Sequence, residues 1–88
     1  MLVRSDMSSI EKRIAKFYAT PVPNNITFAD VEALANYYGC IIKTGGNHSK
    51  RVVHKESGTV IPIPMHGKYI GEAYVTELKE LFDNIKEN

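Results

Sequence analysis

The chain has 88 residues, of which 43 % are hydrophobic and 24 % charged, and its formal net charge at pH 7 is +1. This length and composition predict one globular domain, residues 1–88, and no window reaches the ~18 consecutive apolar residues that span a bilayer. The single cysteine, Cys40, excludes an internal disulfide. Because the first residues also lack the apolar segment of a signal peptide, we expect a cytoplasmic protein with no membrane association.

Two helices are predicted before any strand. Apolar residues at helical spacing predict the first helix from Ser9 to about Ala19, and the proline-containing segment 20–25 ends it. Thr27 is typical of the residue that caps a helix N-terminus, with Asp30 in the first turn of the second helix. Gly39 is expected to end that helix, because glycine readily adopts the left-handed conformation found there.

Three short strands follow the second helix. They are predicted at Cys40–Thr44, Lys50–His54 and Thr59–Pro64. The four-residue connection between the last two predicts a hairpin. Pro62 and Pro64 lack N–H groups on the same side of the third strand, so this strand is predicted to lie at an edge of the sheet.

A third helix is predicted from Gly71 or Glu72 to about Ile85, on the basis of its apolar stripe. The element order is then α-α-β-β-β-α. We predict an α+β fold, a three-stranded antiparallel sheet with helices on one face.

The charges are unevenly distributed along the chain. Residues 41–70 carry five cationic side chains against one acidic residue, a net of +4, whereas residues 71–88 carry two lysines against five acidic residues, a net of −3. A basic centre beside an acidic last helix favours a surface that faces a polyanion, although an ordinary mixed surface has a similar pattern.

All three histidines lie in this basic centre. His48 follows two glycines and Asn47 in a corner between strands, with Lys50 just beyond. A neutral imidazole can take a proton from a ribose 2′-hydroxyl while cations stabilise the phosphate oxygens, and the alternative is an ordinary polar turn residue. His54 is interpreted as pairing across the hairpin, and His66 as contacting either a phosphate or the backbone.

A metal site is not expected. The histidine spacings of six and twelve residues match no common ligand pattern, and no cysteine pair supports one, so neither a metal nor another cofactor is predicted. Cys40 is interpreted as a buried core thiol. Tyr37 and Tyr38 are interpreted as packing residues, with base stacking as the alternative.

The chain resembles the HicA-type toxins of bacterial toxin–antitoxin pairs, from about Thr27 to Ile85. The resemblance rests on motifs in a set order, which are Gly46-Asn47-His48, Ser57-Gly58, Val60-Ile61-Pro62-Ile63-Pro64 and His66-Gly67-Lys68. It implies a fold similar to double-stranded-RNA-binding domains and a ribonuclease that cleaves mRNA and is silenced by a HicB-type antitoxin. Asn47 stands where the family has serine, and residues 1–25 have no counterpart in its shortest members.

The resemblance implies that the catalytic histidine is His48. The residues expected to contact RNA are Lys43, Gly46, Asn47, Lys50, Arg51, His66 and Lys68. The leading hypothesis is therefore a metal-independent endoribonuclease, the toxin of a type II toxin–antitoxin system. The alternatives are a non-catalytic RNA-binding module of the same fold and a protein-interaction domain whose basic hairpin binds an acidic partner.

Overall fold

The computed structural model describes residues 9–44, 49–64 and 67–87. The helices among them are α1 (Ser9–Phe17), α2 (Phe28–Tyr37) and α3 (Glu72–Glu87), and the strands are β1 (Ile41–Thr44), β2 (Lys50–His54) and β3 (Thr59–Ile63). Their order is α-α-β-β-β-α, which confirms the predicted α+β class. Gly39 follows α2 with a φ of +84°, so it ends this helix as predicted.

The three strands form one antiparallel sheet in the order β1-β2-β3. Among the described strands β3 pairs only with β2, which confirms that it is an edge strand. Pro62 lies opposite Arg51 within this pair, whereas Pro64 lies beyond the end of β3. The strand is therefore one residue shorter than predicted, and Pro62 still accounts for its position at the edge.

The two faces of the sheet have different environments, because successive side chains of a strand point to opposite sides. On one face, Val52, Ile61 and Ile63 are buried in the core together with apolar residues of all three helices. We call this the inner face. The other face, the outer face, comprises side chains that are exposed or half-buried, which are Ile41, Lys43, Arg51, Val53, Val60 and Pro62. The described helices thus cover one face only.

The first helix belongs to the hydrophobic core. Phe17 in its last turn is fully buried, and its ring lies 5.7 Å from that of Phe82 in α3 and 5.6 Å from that of Tyr18, between ring centroids. The hydrophobic core therefore includes a residue of α1. The sequence left the role of this helix open, and its buried aromatic residue assigns it a packing role.

A buried carboxylate joins α1 to α2. Lys16 Nζ donates a hydrogen bond to Asp30 Oδ2 at 2.9 Å, and the Thr27 N–H donates to the same oxygen at 3.0 Å. The Asp30 N–H donates to Thr27 Oγ1 at 3.2 Å, so the predicted cap at Thr27 is confirmed and forms a full capping box. Burial raises the pKa of Asp30, but the Lys16 ammonium and the Thr27 N–H outweigh it, and the net pKa is below its usual range.

Replacing this carboxylate should lower stability in a pH-dependent way. We expect Asp30→Asn to lower the free energy of unfolding by about 1–3 kcal/mol at pH 7, the usual range for a lost charged hydrogen bond. Because the folded pKa is depressed, the stabilisation is fully present above the unfolded pKa of ~3.9 and is lost as pH falls through the folded pKa. Urea unfolding between pH 7 and 2 measures this, with Glu32→Gln on the exposed side of α2 as control. A deficit that stays constant down to pH 2 would contradict the ionic role.

Candidate nucleic-acid interface

Four of the predicted site residues lie outside the described residues. These are the predicted catalytic His48 and the predicted RNA contacts Gly46, Asn47 and His66. They belong to two segments, residues 45–48 and 65–66, and described residues precede and follow each segment in the sequence. The other predicted contacts, at positions 43, 50, 51 and 68, are described.

The strand ends that lead into both segments lie together. Thr44, the last residue of β1, pairs with Lys50, the first residue of β2, and Lys50 pairs in turn with Ile63, the last residue of β3. Residues 45–48 and 65–66 are therefore connected to the same end of the sheet, which we call the loop end. The hairpin turn at residues 55–58 lies at the opposite end.

At the loop end, Lys50 lies over an aromatic ring. It is half-buried, and its side chain belongs to the inner face because it is two residues from the buried Val52. Its Nζ lies 5.3 Å from the centroid of the Phe28 ring, at the first residue of α2. This distance is typical of a cation–π interaction, which fixes the ammonium beside the start of the helix.

A second cation and ring lie in the segment that pairs with the residue before Phe28. Lys68 Nζ is 5.4 Å from the centroid of the Tyr69 ring, and Tyr69 is 46 % exposed. The backbone of Tyr69 forms an antiparallel bridge with Thr27, the residue before Phe28, and the Ile70 N–H donates to the Ile26 carbonyl at 2.7 Å. We call Phe28, Lys50, Lys68 and Tyr69 the basic–aromatic patch.

The remaining predicted cations lie on the other side of the sheet. Lys43 and Arg51 are direct cross-strand partners on the outer face, and both are exposed. Lys50 and Arg51, which are neighbours in the sequence, thus point to opposite faces. The structure brings Lys50 and Lys68 to the loop end through the elements around Thr27, and it does not bring Lys43 or Arg51 to that surface.

His54 has a structural environment, as predicted. It is 8 % exposed, and its Nδ1 forms a 2.7 Å hydrogen bond with Ser57 Oγ in the turn. Ser57 Oγ lies 2.7 Å from Oγ1 of Thr59, the residue that pairs with His54 across the hairpin. Its Nε2 lies 3.6 Å from the highly exposed Glu56 carboxylate. These contacts order the turn at the end of the sheet away from the loop end.

Cys40 is 3 % exposed, and burial raises the pKa of its thiol. It is therefore a core residue, as predicted, and its thiolate is disfavoured.

Tyr38 stacks on Phe82 with 4.8 Å between ring centroids, so its packing role is confirmed. Tyr37 contacts Tyr38 edge-on but is 59 % exposed, and it packs less than predicted.

The sequence interpretation did not predict Phe28 and Tyr69 as members of the basic–aromatic patch. Neither aromatic residue is among the contacts that the resemblance implies. The available signal was the Lys68-Tyr69 pair, a cation beside an aromatic residue just before a predicted helix. The proximity of this pair to Phe28 depends on the bridge between Tyr69 and Thr27. No local sequence pattern indicates that bridge.

In the part of the chain that the structure describes, no three histidine, cysteine or acidic side chains are grouped as metal ligands would be. No described helix has the length and apolarity needed to cross a membrane.

Comparisons of the chain with protein-family models, with curated proteins and with solved structures found no match.

Proposed function

We propose that the chain is a metal-independent endoribonuclease, the toxin of a type II toxin–antitoxin pair, with His48 as general base or acid. The resemblance to HicA-type toxins supplies the reaction class and the histidine. The observation that carries the proposal is the basic–aromatic patch at the loop end, the end of the sheet to which the segment containing His48 is connected.

The chemistry of the patch suits single-stranded RNA. Lysine ammonium groups bind phosphates as point charges, and an exposed aromatic ring stacks with an unpaired base. Lys50 and Lys68 supply the charges, and Tyr69 supplies a ring that is nearly half exposed. We therefore assign the RNA contacts to the inner side of β2, where Lys50 lies. Lys43 and Arg51 lie on the outer face and are not included among these contacts.

The proposed reaction is transesterification within the RNA. The 2′-hydroxyl attacks the adjacent phosphorus as His48 removes its proton, the bond from phosphorus to the 5′-oxygen breaks, and the departing oxygen receives a proton. The product is a 2′,3′-cyclic phosphate and a 5′-hydroxyl. Glu56 is the sole acidic residue from 41 to 70, so the sequence around His48 offers no carboxylate set to hold magnesium.

Incubation with single-stranded RNA tests the reaction. We expect cleavage to survive EDTA and to leave a cyclic phosphate. A phosphodiester should not be cleaved when the adjacent ribose 2′-hydroxyl is replaced by hydrogen. Labelled oligonucleotides that differ at that one position give the matched control. Cleavage abolished by EDTA and restored by magnesium would contradict the mechanism, and binding without cleavage would favour the non-catalytic RNA-binding module.

A ribonuclease of this kind requires control in its own cell. We propose a cytoplasmic location and a HicB-type antitoxin, with an acidic surface that complements the net charge of +4 in residues 41–70. An antitoxin reading frame beside the toxin gene is the expected genetic signature. Electrostatic complementarity also predicts that the complex forms faster at low salt.

The stacking role of Tyr69 can be measured directly. We expect Tyr69→Ala to weaken binding of a short single-stranded RNA about 5- to 150-fold, equivalent to ~1–3 kcal/mol for one stacked base. Tyr69→Phe should bind like the native chain because the ring remains. Fluorescence anisotropy gives the dissociation constants, and Tyr37→Ala, at a more exposed tyrosine of α2, is the control. Equal losses at both tyrosines would remove the assignment.

A further inference from the structure

The outer face of the sheet carries two ordered rows of side chains. The strand register aligns Ile41 with Val53 and Val53 with Val60, so three β-branched aliphatic residues form one row across the sheet. Ile41 is 36 % exposed and Val60 51 % exposed, and Val53 is half-buried between them. No described helix covers this row.

The second row is basic. The same register aligns Lys43 with Arg51, and Arg51 with Pro62 at the edge. Neither cation forms a salt bridge with any described residue, whereas Arg13 and Lys16 on α1 both pair with Asp30. Two cations without a salt-bridge partner among the described residues thus lie beside an exposed aliphatic row. A face that contacts only solvent does not require this combination.

Nucleic acid fits this face poorly. Bases are held by aromatic rings or guanidinium planes. The described side chains of the outer face include no aromatic residue, and Arg51 supplies the one guanidinium among them. Three aliphatic side chains instead need apolar groups that exclude water. A protein segment can supply such groups together with carboxylates, which nucleic acid cannot.

We propose that the outer face binds a protein partner through a segment that presents acidic side chains next to aliphatic ones. The carboxylates pair with Lys43 and Arg51, and the aliphatic side chains cover the row formed by Ile41, Val53 and Val60. The same face of a second copy is a poor occupant because it would bring lysine and arginine against like charges. This inference does not depend on RNA cleavage, since the face lies on the opposite side of β2 from Lys50.

Selection from a phage-displayed library of random 12-residue peptides tests the proposal with a defined probe. We expect the enriched peptides to combine Asp or Glu with Leu, Ile or Val. Synthetic versions should bind Val60→Glu and Lys43→Glu at least about tenfold more weakly than the native chain. Ala15→Glu, which adds the same charge on the exposed side of α1, is the matched control and should bind normally.

Two further measurements locate the site and check the fold. Bound peptide should protect Lys43 from acetylation and leave Lys68 reactive, and circular dichroism should show native helix content in each variant. Affinity for single-stranded RNA should be unchanged by Val60→Glu. This keeps failure of the inference separate from failure of the ribonuclease proposal.

Three results would overturn the inference. The first is a selection that enriches no peptide in which acidic and aliphatic residues are combined. The second is peptides that bind outside the outer face. Equal affinity for Val60→Glu and the native chain would show this, as would displacement by RNA together with protection of Lys68 from acetylation. The third is light scattering that shows a dimer of the native chain dispersed by Val60→Glu, which would assign the face to a second copy.

Discussion

Replacing His48 by alanine is expected to lower the rate of RNA cleavage about 10²–10⁴-fold, the usual contribution of a general base or acid. The reason is the proton of the 2′-hydroxyl, which the proposed reaction must remove as the phosphorus is attacked. The fold should survive, because the Gly-Gly-Asn-His-Ser sequence around this residue is polar and glycine-rich, unlike the core segments. Single-turnover rates with saturating RNA isolate the chemical step from binding.

The matched control for this prediction is His66→Ala, at the other histidine whose segment is connected to the loop end. It should reduce cleavage less than His48→Ala. His54 is unsuitable as a control, because it is buried and hydrogen-bonded to Ser57, so its loss would disturb the hairpin. Near-native cleavage by His48→Ala would refute its role and make His66 the next candidate.

Removing the Phe17 ring is expected to destabilise the protein by about 3–5 kcal/mol, the range for a fully buried aromatic residue replaced by alanine. A chain of this size has a total stability of only about 4–13 kcal/mol. The variant should therefore lose a large share of its stability, although Phe17 lies in a helix outside the region that resembles HicA-type toxins.

Urea unfolding followed by circular dichroism measures this loss. Tyr37→Ala removes a ring that is 59 % exposed, so it is the control and should cost clearly less. A Phe17→Ala cost below about 1 kcal/mol would mean that α1 is peripheral and that its ring contacts with Phe82 and Tyr18 contribute little.

Local patterns predicted the elements of the fold well. Apolar spacing located all three described helices, and β2 begins at Lys50 and ends at His54 as predicted. Pro62 indicated the edge strand because a missing backbone donor has the same consequence in any sheet. The ends of α1 and α3 differ by about two residues, since fraying and capping at helix ends depend on contacts that spacing does not encode.

The composition of the basic–aromatic patch was harder to predict, because it depends on long-range pairing. Alternation along β2 already implied that Lys50 and Arg51 point to opposite faces, but it gave no partner for either. The position of Tyr69 depends on its bridge to Thr27, a pairing between residues far apart in the sequence. The link from Lys16 to Asp30 likewise required the packing of two helices.

The proline in the edge strand also bears on aggregation. Residues 60–63 are uncharged and mostly β-branched, a composition that in other sequences assembles into cross-β fibres. Such growth needs an unbroken row of backbone donors and acceptors at an open edge. Pro62 interrupts that row on β3, and Pro64 removes a second donor just beyond it. These two residues therefore act against the templated stacking of one copy on the next, in a segment whose side chains would otherwise favour it.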